Sequence, residues 1–361
     1  MARTRQTDVE ETSPMINKLN AFSEALSIIN KDLKSETGTL IAKLSDRPMN
    51  VETISTGSVV LDTITGGGFP KGRLIEIFGA ESSGKTTMAL TAIANVQKDG
   101  GTAAFVDFEN ALDPQYAARL GVDVANLAVA QPDYAEQGLE LVERLAASGV
   151  VDIIVVDSVA ALVPKVELEG DLEQQTMAVV ARLLSRSLKK LVSTANKTKT
   201  TVIFINQTRE KVGFVMGDPT TTTGGKALKF YSSQRIKVAP RKQITENGKT
   251  VGRITALKTI KNKVAPPFME GETVLTFNKG INRAAEMIEV GPLYPDVINK
   301  PNARTYVDTE TGEIIARSKA EAVDKLEKDP KLLRRLQARL KKALQEAMLN
   351  GPSENDDADE E

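Results

Sequence analysis

Gly79-Ala80-Glu81-Ser82-Ser83-Gly84-Lys85-Thr86 is a complete G-x-x-x-x-G-K-[ST] pattern, the spacing of a loop that wraps a polyphosphate. Its glycines let the backbone turn successive N–H groups inward as an anion nest. The helix expected behind it adds the partial positive charge of its N-terminus. Lys85 would reach the β- and γ-phosphates, the Thr86 hydroxyl would hold Mg²⁺, and Thr87 beside it would belong to the nucleotide-binding set. The flanks agree. Leu74–Phe78 is an apolar run of strand length, and Ala89, Ala92, Ile93 and Val96 share one helical face. Asp99-Gly100-Gly101 then supplies a left-handed stop.

A loop of this kind needs a carboxylate to orient the metal and its waters. Asp157, closing a β-branched run that ends at Val156, fits an acid where a buried parallel strand emerges beside the nucleotide. Hydrolysis also needs a group that polarises water. The chain has no His and no Cys, which removes catalytic triads, thiolate nucleophiles and His- or Cys-based metal sites. Glu109, just past the strand expected to end at Asp107, is the best proton acceptor. Asn206-Gln207 closes another strand directly before a long loop, where an amide could sense the γ-phosphate.

The elements that must position these groups alternate strand and helix from Val51 onward, the pattern of a mostly parallel sheet covered on both faces. Further strands are expected at 102–107, 126–130, 151–156 and 201–205. A long helix carries Met177, Val180, Ala181, Leu184, Leu188 and Leu191, and Asp133 with Glu136 reads as a capping box before Leu139, Val142 and Leu145. Two segments lack a period: the acidic stretch Glu167–Glu173, and Thr208–Gly225, which is too long for an idle connector. Asn247-Gly248 between two strand-like runs is a strong hairpin signal. Ahead of all this, Ile16, Leu19, Phe22, Leu26 and Ile29 mark a lone amphipathic helix, with strand-like Gly38–Ala42 after it. Its apolar face must cover either its own core or a neighbouring subunit.

At 361 residues two or three domains are expected, and 41% apolar with 26% charged residues is an ordinary globular balance. No run is long enough to cross a membrane and no leader is evident, so a cytoplasmic location is expected. The net charge of −1 conceals an asymmetry. Glu354–Glu361 carries six acids and no base, and without it the charge would be +5. Near the end, Leu332, Leu333, Leu336, Leu340 and Leu344 face inward on a helix. Lys331, Arg334, Arg335, Arg339, Lys341 and Lys342 lie on its other face, which reads either as a solvated surface or as a place to gather duplex DNA.

GAESSGKT (79–86), FVDFENALDP (105–114), VVDSVAAL (155–162), FINQTR (204–209), TTTGGKALKFY (221–231), KNKVAPPF (261–268) and VETISTGS (51–58) together resemble the bacterial RecA recombinases in order and spacing. The resemblance implies an α/β fold: a RecA-type P-loop NTPase core with a mostly parallel central sheet, an N-terminal helix-strand polymerisation arm and a small α+β C-terminal domain. The corresponding boundaries are 1–46, 47–282, 283–350 and an acidic tail over 351–361. It implies that Glu109 is catalytic, that Asp113 and Tyr116 contact adenine, and that Gln207 couples the γ-phosphate to DNA binding. Lys261 and Lys263 would reach the ATP of a neighbouring subunit, and Phe230 would lie at the subunit interface. DNA contacts are implied at Gly170, Met177 and Arg182 around a first loop, and at Thr208, Arg209, Gly213, Met216, Thr222, Gly224 and Gly225 around a second. Met216 replaces the aromatic usual near that loop's tip, with Phe214 two positions earlier. Phe108 and Asn110 flank Glu109 where a smaller residue and a His are expected.

The expected activity is ATP- and Mg²⁺-dependent polymerisation on single-stranded DNA as a helical filament, with homologous pairing to double-stranded DNA, strand exchange and DNA repair. The family also stimulates repressor self-cleavage in the SOS response, and the resemblance raises that activity here. A hexameric helicase-type motor shares the core, but the chain length and N-terminal arm disfavour it. A small-molecule kinase would need a lid and an acceptor pocket, which are not evident; a non-catalytic pairing accessory is the remaining alternative.

Overall fold

A computed structural model describes residues 14–36, 41, 51–169, 177–210 and 220–350; Gly170, Gly213, Phe214, Met216, most of Gly38–Ala42 and the acidic tail lie outside the described residues. The chain divides into two compact units, Met1–Val51 and Glu52–Glu361. In the first, helix α1 (Pro14–Glu36) follows the predicted period, and Leu19, Phe22 and Ile29 on it are exposed. The Asn30 side chain donates to the Ile41 carbonyl (2.7 Å) and accepts from the Ile41 N–H (2.6 Å).

The second unit begins β1 (Thr53–Ile54), α2 (Val59–Thr65), β2 (Phe69–Pro70), β3 (Leu74–Gly79), α3 (Lys85–Lys98), β4 (Ala103–Asp107), α4 (Pro114–Arg119) and β5 (Leu127–Ala130). Then come α5 (Ala135–Ser148), β6 (Ile153–Asp157), α6 (Lys165–Glu169), α7 (Met177–Thr198), β7 (Thr201–Glu210), β8 (Thr220–Thr222) and α8 (Ala227–Tyr231). After these, β9 (Gln234–Glu246), β10 (Lys249–Asn262), β11 (Glu270–Thr276) and β12 (Gly280–Ile281) precede α9 (Arg283–Val290). A small sheet of β13 (Ile298–Asn299), β14 (Tyr306–Asp308) and β15 (Ile314–Ala316) leads to α10 (Lys319–Lys328) and α11 (Pro330–Asn350).

Strands β9-β3-β7-β6-β4-β5 run parallel in that order, and β10, β11 and β12 extend the β9 edge antiparallel. Successive residues of the buried strands feed opposite faces. Ile75, Ile77, Ile153 and Val155 pack into one core with α3, and Leu74, Ile154 and Val156 into another with α5 and α7. Asn247 (φ 51°) and Gly248 (φ 75°) turn the β9–β10 hairpin, both residues left-handed as a type I′ turn requires.

Three expectations are corrected. Asp133 does not cap α5, which starts after Tyr134; the Asp133 N–H donates to Gln137 (2.9 Å) and the Glu136 carboxylate accepts from the Lys165 N–H (3.0 Å). Strand β7 does not stop at Ile205, because β8 pairs antiparallel with Thr208–Glu210 and carries the ladder past Gln207. Arg335 and Arg339 of α11 are not part of a free basic face. Both bind the buried Asp308 carboxylate, Arg339 at 2.7 Å, while Leu336, Leu340 and Leu344 turn into the core.

Glu286 of α9 is a buried carboxylate that accepts from the Ser58 and Thr273 hydroxyls (2.6 Å each) and the Val59 N–H (2.8 Å), tying α9 to α2 and β11. Burial pushes its carboxyl up to about 7, against the lowering effect of those hydrogen bonds. The native state therefore holds a proton that the unfolded chain releases near its ordinary value. The stabilisation is full below about 4.5 and is lost as pH rises to about 7, on the order of 3 kcal/mol at most. Denaturant titrations of the parent and Glu286→Gln between pH 5 and 7.5 should show this fall in the parent and a flatter profile in the variant.

Candidate active site

The register of the parallel strands assembles the site. Gly79 at the end of β3 lies opposite Gln207 of β7, and Asp107 at the end of β4 lies opposite Asp157 at the end of β6. These four positions therefore share the carboxyl side of the parallel strands, where α/β sheets bind ligands. The loop between β3 and α3 turns with Ser82 (φ 54°) and Gly84 (φ 103°) left-handed. Helix α3 starts after Gly84 with no side-chain cap, which leaves its first-turn amides free for an anion.

The Thr86 hydroxyl donates to Asp157 Oδ2 (2.7 Å), the pair predicted to hold the metal. Lys85 Nζ crosses the loop to the Ala80 carbonyl (2.7 Å). Burial lowers the Lys85 ammonium from its ordinary value, against Asp157 and Glu109. Burial likewise pushes the Asp157 carboxyl up to about 6, with Glu109 and Asp107 adding repulsion. Both shifts come from removing charge from water, and a polyphosphate with a divalent cation would reverse both. The Ser83 hydroxyl is buried in the loop with no protein partner. Among the described residues no cluster of three or more Asp or Glu could hold a metal alone. Mg²⁺ takes one or two protein groups and completes its shell with phosphate and water, and Thr86 with Asp157 offers such a pair. The loop residues thus fit a Mg²⁺-bound nucleoside triphosphate.

Glu109 lies exposed just beyond β4. Its Oε1 accepts from the Ser158 hydroxyl (2.5 Å) and from Gln207 Nε2 (3.1 Å). The site thereby gathers Lys85, Thr86, Asp157, Glu109 and Gln207. Tyr116 is half-buried in α4, its hydroxyl hydrogen-bonded to Thr87 Oγ1 (2.8 Å), and Asp113 caps the same helix by accepting from the Gln115 N–H (2.8 Å). Tyr116 thereby touches the first turn of α3, directly after the phosphate loop.

Lys261 and Lys263 are elsewhere. Asn262 pairs with Gln234 and Gln234 with Ile75, at the opposite end of β3 from the loop, about 13 Å back along the strand. Lys261 Nζ donates to the carbonyls of Lys229 (2.8 Å) and Phe230 (2.9 Å), and Phe230 is exposed. Of the expected DNA contacts, Arg182 on α7 and Arg209 on β7 are exposed, Thr208 is half-buried and Thr222 is buried; Met177 begins α7. Gly224 and Gly225 take left-handed φ values and pass so close to α7 that a Cβ on Gly224 would lie 2.6 Å from Leu184 Cδ1.

Ser158 and a buried network behind the site are absent from the predicted set. Glu76 accepts from Arg235 Nε (2.5 Å) and Asn206 Nδ2 (2.9 Å), and the Arg235 guanidinium lies 4.6 Å from the Phe78 ring centre. Asn206 also binds Thr223 through two hydrogen bonds. A charge inside the run Leu74–Phe78 was the available signal, because a buried carboxylate requires a partner.

Sheet, loop and Asp157 define a P-loop nucleoside triphosphatase. Residues 20–282 match the RecA N-terminal domain family. Protein RecA of Macrococcus caseolyticus is 48% identical over 324 residues, 89% of this chain and 91% of its own length. Protein RecA of Fusobacterium nucleatum is 48% identical over 337 residues, 93% of this chain and 86% of its own. A solved structure of the RadB recombinase is similar at a TM-score of 0.48 and 23% identity, over 63% of this chain and 98% of that one. The chain belongs to the RecA family.

Replacing Lys85 with Ala removes the buried cation at the loop. The affinity for ATP in a fluorescence titration should fall at least about 100-fold, near 2.7 kcal/mol, and an unchanged affinity would place the triphosphate elsewhere.

Proposed function

We propose that this protein is an ATP-dependent recombinase that polymerises on single-stranded DNA, pairs it with homologous duplex and exchanges strands, as a DNA-dependent ATPase of recombination and repair. The observation that carries the reading is the hydrogen bond between Glu109 and Gln207. It joins the hydrolytic carboxylate to a strand whose next residues pair with β8, the base of the second loop.

In this reading ATP lies on Gly79–Thr87 with its base beside Asp113 and Tyr116. Thr86 and Asp157 would hold Mg²⁺, which when bound would supply charge neutralisation at the phosphates. Glu109 accepts a proton from the attacking water, and Ser158 holds the carboxylate in place. Gln207 donates either to Glu109 or to the γ-phosphate, so the triphosphate competes for its amide and alters the strand that leads to the second loop.

Lys261 and Lys263 cannot serve the loop of their own chain from the opposite sheet edge, which supports a role in trans on a neighbour's ATP. The exposed Phe230 beside them supports a subunit interface there, and the exposed apolar residues of α1 support a second contact made by the arm. The arm is then 1–46, the ATPase core 47–282, the C-terminal domain 283–350 and the acidic tail 351–361. DNA is held by loop backbone and by cations such as Arg182 and Arg209, with steep salt dependence and little sequence preference. A cytoplasmic location and a self-cleaving repressor as a further partner belong to the same reading. Among the described residues no helix is long and apolar enough to cross a membrane.

Negative-stain images with single-stranded DNA and a non-hydrolysable ATP analogue should show open helical filaments. Closed rings would favour a helicase-type motor, and ATPase activity indifferent to DNA would favour a kinase. Glu109→Gln should still form filaments while turnover falls at least about 100-fold; turnover near the parent's would remove Glu109 from the mechanism.

A further inference from the structure

We infer that Phe108, seated against Gly138, sets the position of Glu109 and is a positioning residue for ATP hydrolysis; this rests on the reading of Glu109 as the hydrolytic base. Phe108 is the first residue beyond β4 and the last buried one before the chain turns out to solvent. Glu109 and Asn110 after it are exposed, and Asn110 is left-handed (φ 52°). The backbone here is tied to the metal-binding strand: the Phe108 N–H (2.6 Å) and the Glu109 N–H (3.4 Å) both donate to the Asp157 carbonyl. Those bonds fix where the segment begins but leave its rotation about the strand axis to be set by side chains.

The Phe108 ring sets that rotation. It is 9% exposed and inserts into the core between β4 and α5, where its edge occupies the space of a missing side chain. A Cβ on Gly138 would lie 2.1 Å from Phe108 Cζ, 2.8 Å from Cε1 and 2.8 Å from Pro132 Cγ. Gly138 sits within α5 and is not among the left-handed glycines, so no backbone conformation demands it. Glycine is a poor helix former, and what calls for it here is the ring. The pocket is held from outside as well. The Ala135 N–H donates to the Val163 carbonyl (2.8 Å) and the Lys165 N–H to the Glu136 carboxylate (3.0 Å), which bind the start of α5 to the segment after β6.

Phe108 is larger than the residue the family resemblance implies beside Glu109, and the absent side chain of Gly138 is what makes room for its ring. The two form one packing unit one residue away from the carboxylate. A displacement of the ring carries Glu109 with it, away from Ser158 Oγ and Gln207 Nε2. Misplacing a catalytic group by about 1 Å can cost on the order of 100-fold in rate.

The test is steady-state ATPase kinetics of the full chain with saturating single-stranded DNA, alongside thermal melts. It compares the parent, Gly138→Ala, Phe108→Leu/Gly138→Ala and Glu109→Gln. Gly138→Ala should lower kcat at least about tenfold with the ATP KM within about twofold. Phe108→Leu, which shortens the side chain, should restore kcat in the double variant to within about threefold of the parent. If Glu109→Gln abolishes turnover while Gly138→Ala retains parental kcat, the inference is wrong and the role of Glu109 stands. A double variant that regains its melting temperature without regaining kcat would make the pair merely structural and also overturn it. Full turnover in Glu109→Gln would remove the underlying reading and the inference together.

Discussion

The register of the parallel strands is the constraint on which the rest of the protein depends. Side chains alternate faces, so a one-residue slip of β7 against β3 would move its apolar set from one core to the other. Burial on both faces forbids that slip. The register places Gln207 beside the start of the phosphate loop and Asp157 beside Asp107, with Glu109 two residues further on. The chemistry at the sheet edge is thus positioned by packing far from it. Lys85, Thr86 and Asp157 can be held partly desolvated because their strands and helix are fixed from below.

A second layer of order lies just under that edge. Glu76 is a fully buried carboxylate in an otherwise apolar strand, and leaving it unpaired would be strongly destabilising. Arg235 and Asn206 bind it, and Asn206 in turn accepts from the Thr223 hydroxyl (2.5 Å) and the Gln207 N–H (2.9 Å). The strand that carries Gln207 and the turn that follows β8 are therefore joined beneath the surface. Gln207 and the base of the second loop share one hydrogen-bonded support. A network of this kind resists partial distortion, which suits a switch with two discrete arrangements.

Much of this was legible in the sequence, for physical reasons. The phosphate loop is a local pattern of glycines and a lysine, and buried parallel strands are continuous apolar runs, so Asp157 and Glu109 could be placed from their position after such runs. The hairpin at Asn247-Gly248 needs two left-handed residues and had them. What stayed hidden depends on distant partners. Asp133 has the residue type of a cap, yet α5 begins one residue later because Glu136 is engaged by Lys165. The run past Ile205 lacks a strand period, and only pairing with β8 makes it strand. Arg335 and Arg339 look solvent-facing by helical spacing until Asp308, about 30 positions earlier, is folded against them. Ser58 and Val59, which bind Glu286, and Asn206 and Arg235, which bind Glu76, lie more than 100 residues away from those carboxylates, beyond any spacing argument.

The central claim is that the Gln207 amide carries the presence of a triphosphate to the DNA-binding surface. Its most direct measurement is the affinity for a fluorescent single-stranded oligonucleotide, with and without a non-hydrolysable ATP analogue, in the parent and in Gln207→Ala. The account predicts that the analogue tightens DNA binding at least about tenfold in the parent, a coupling of about 1.4 kcal/mol, and that Gln207→Ala loses this gain while still binding nucleotide. Equal tightening in both proteins would contradict it.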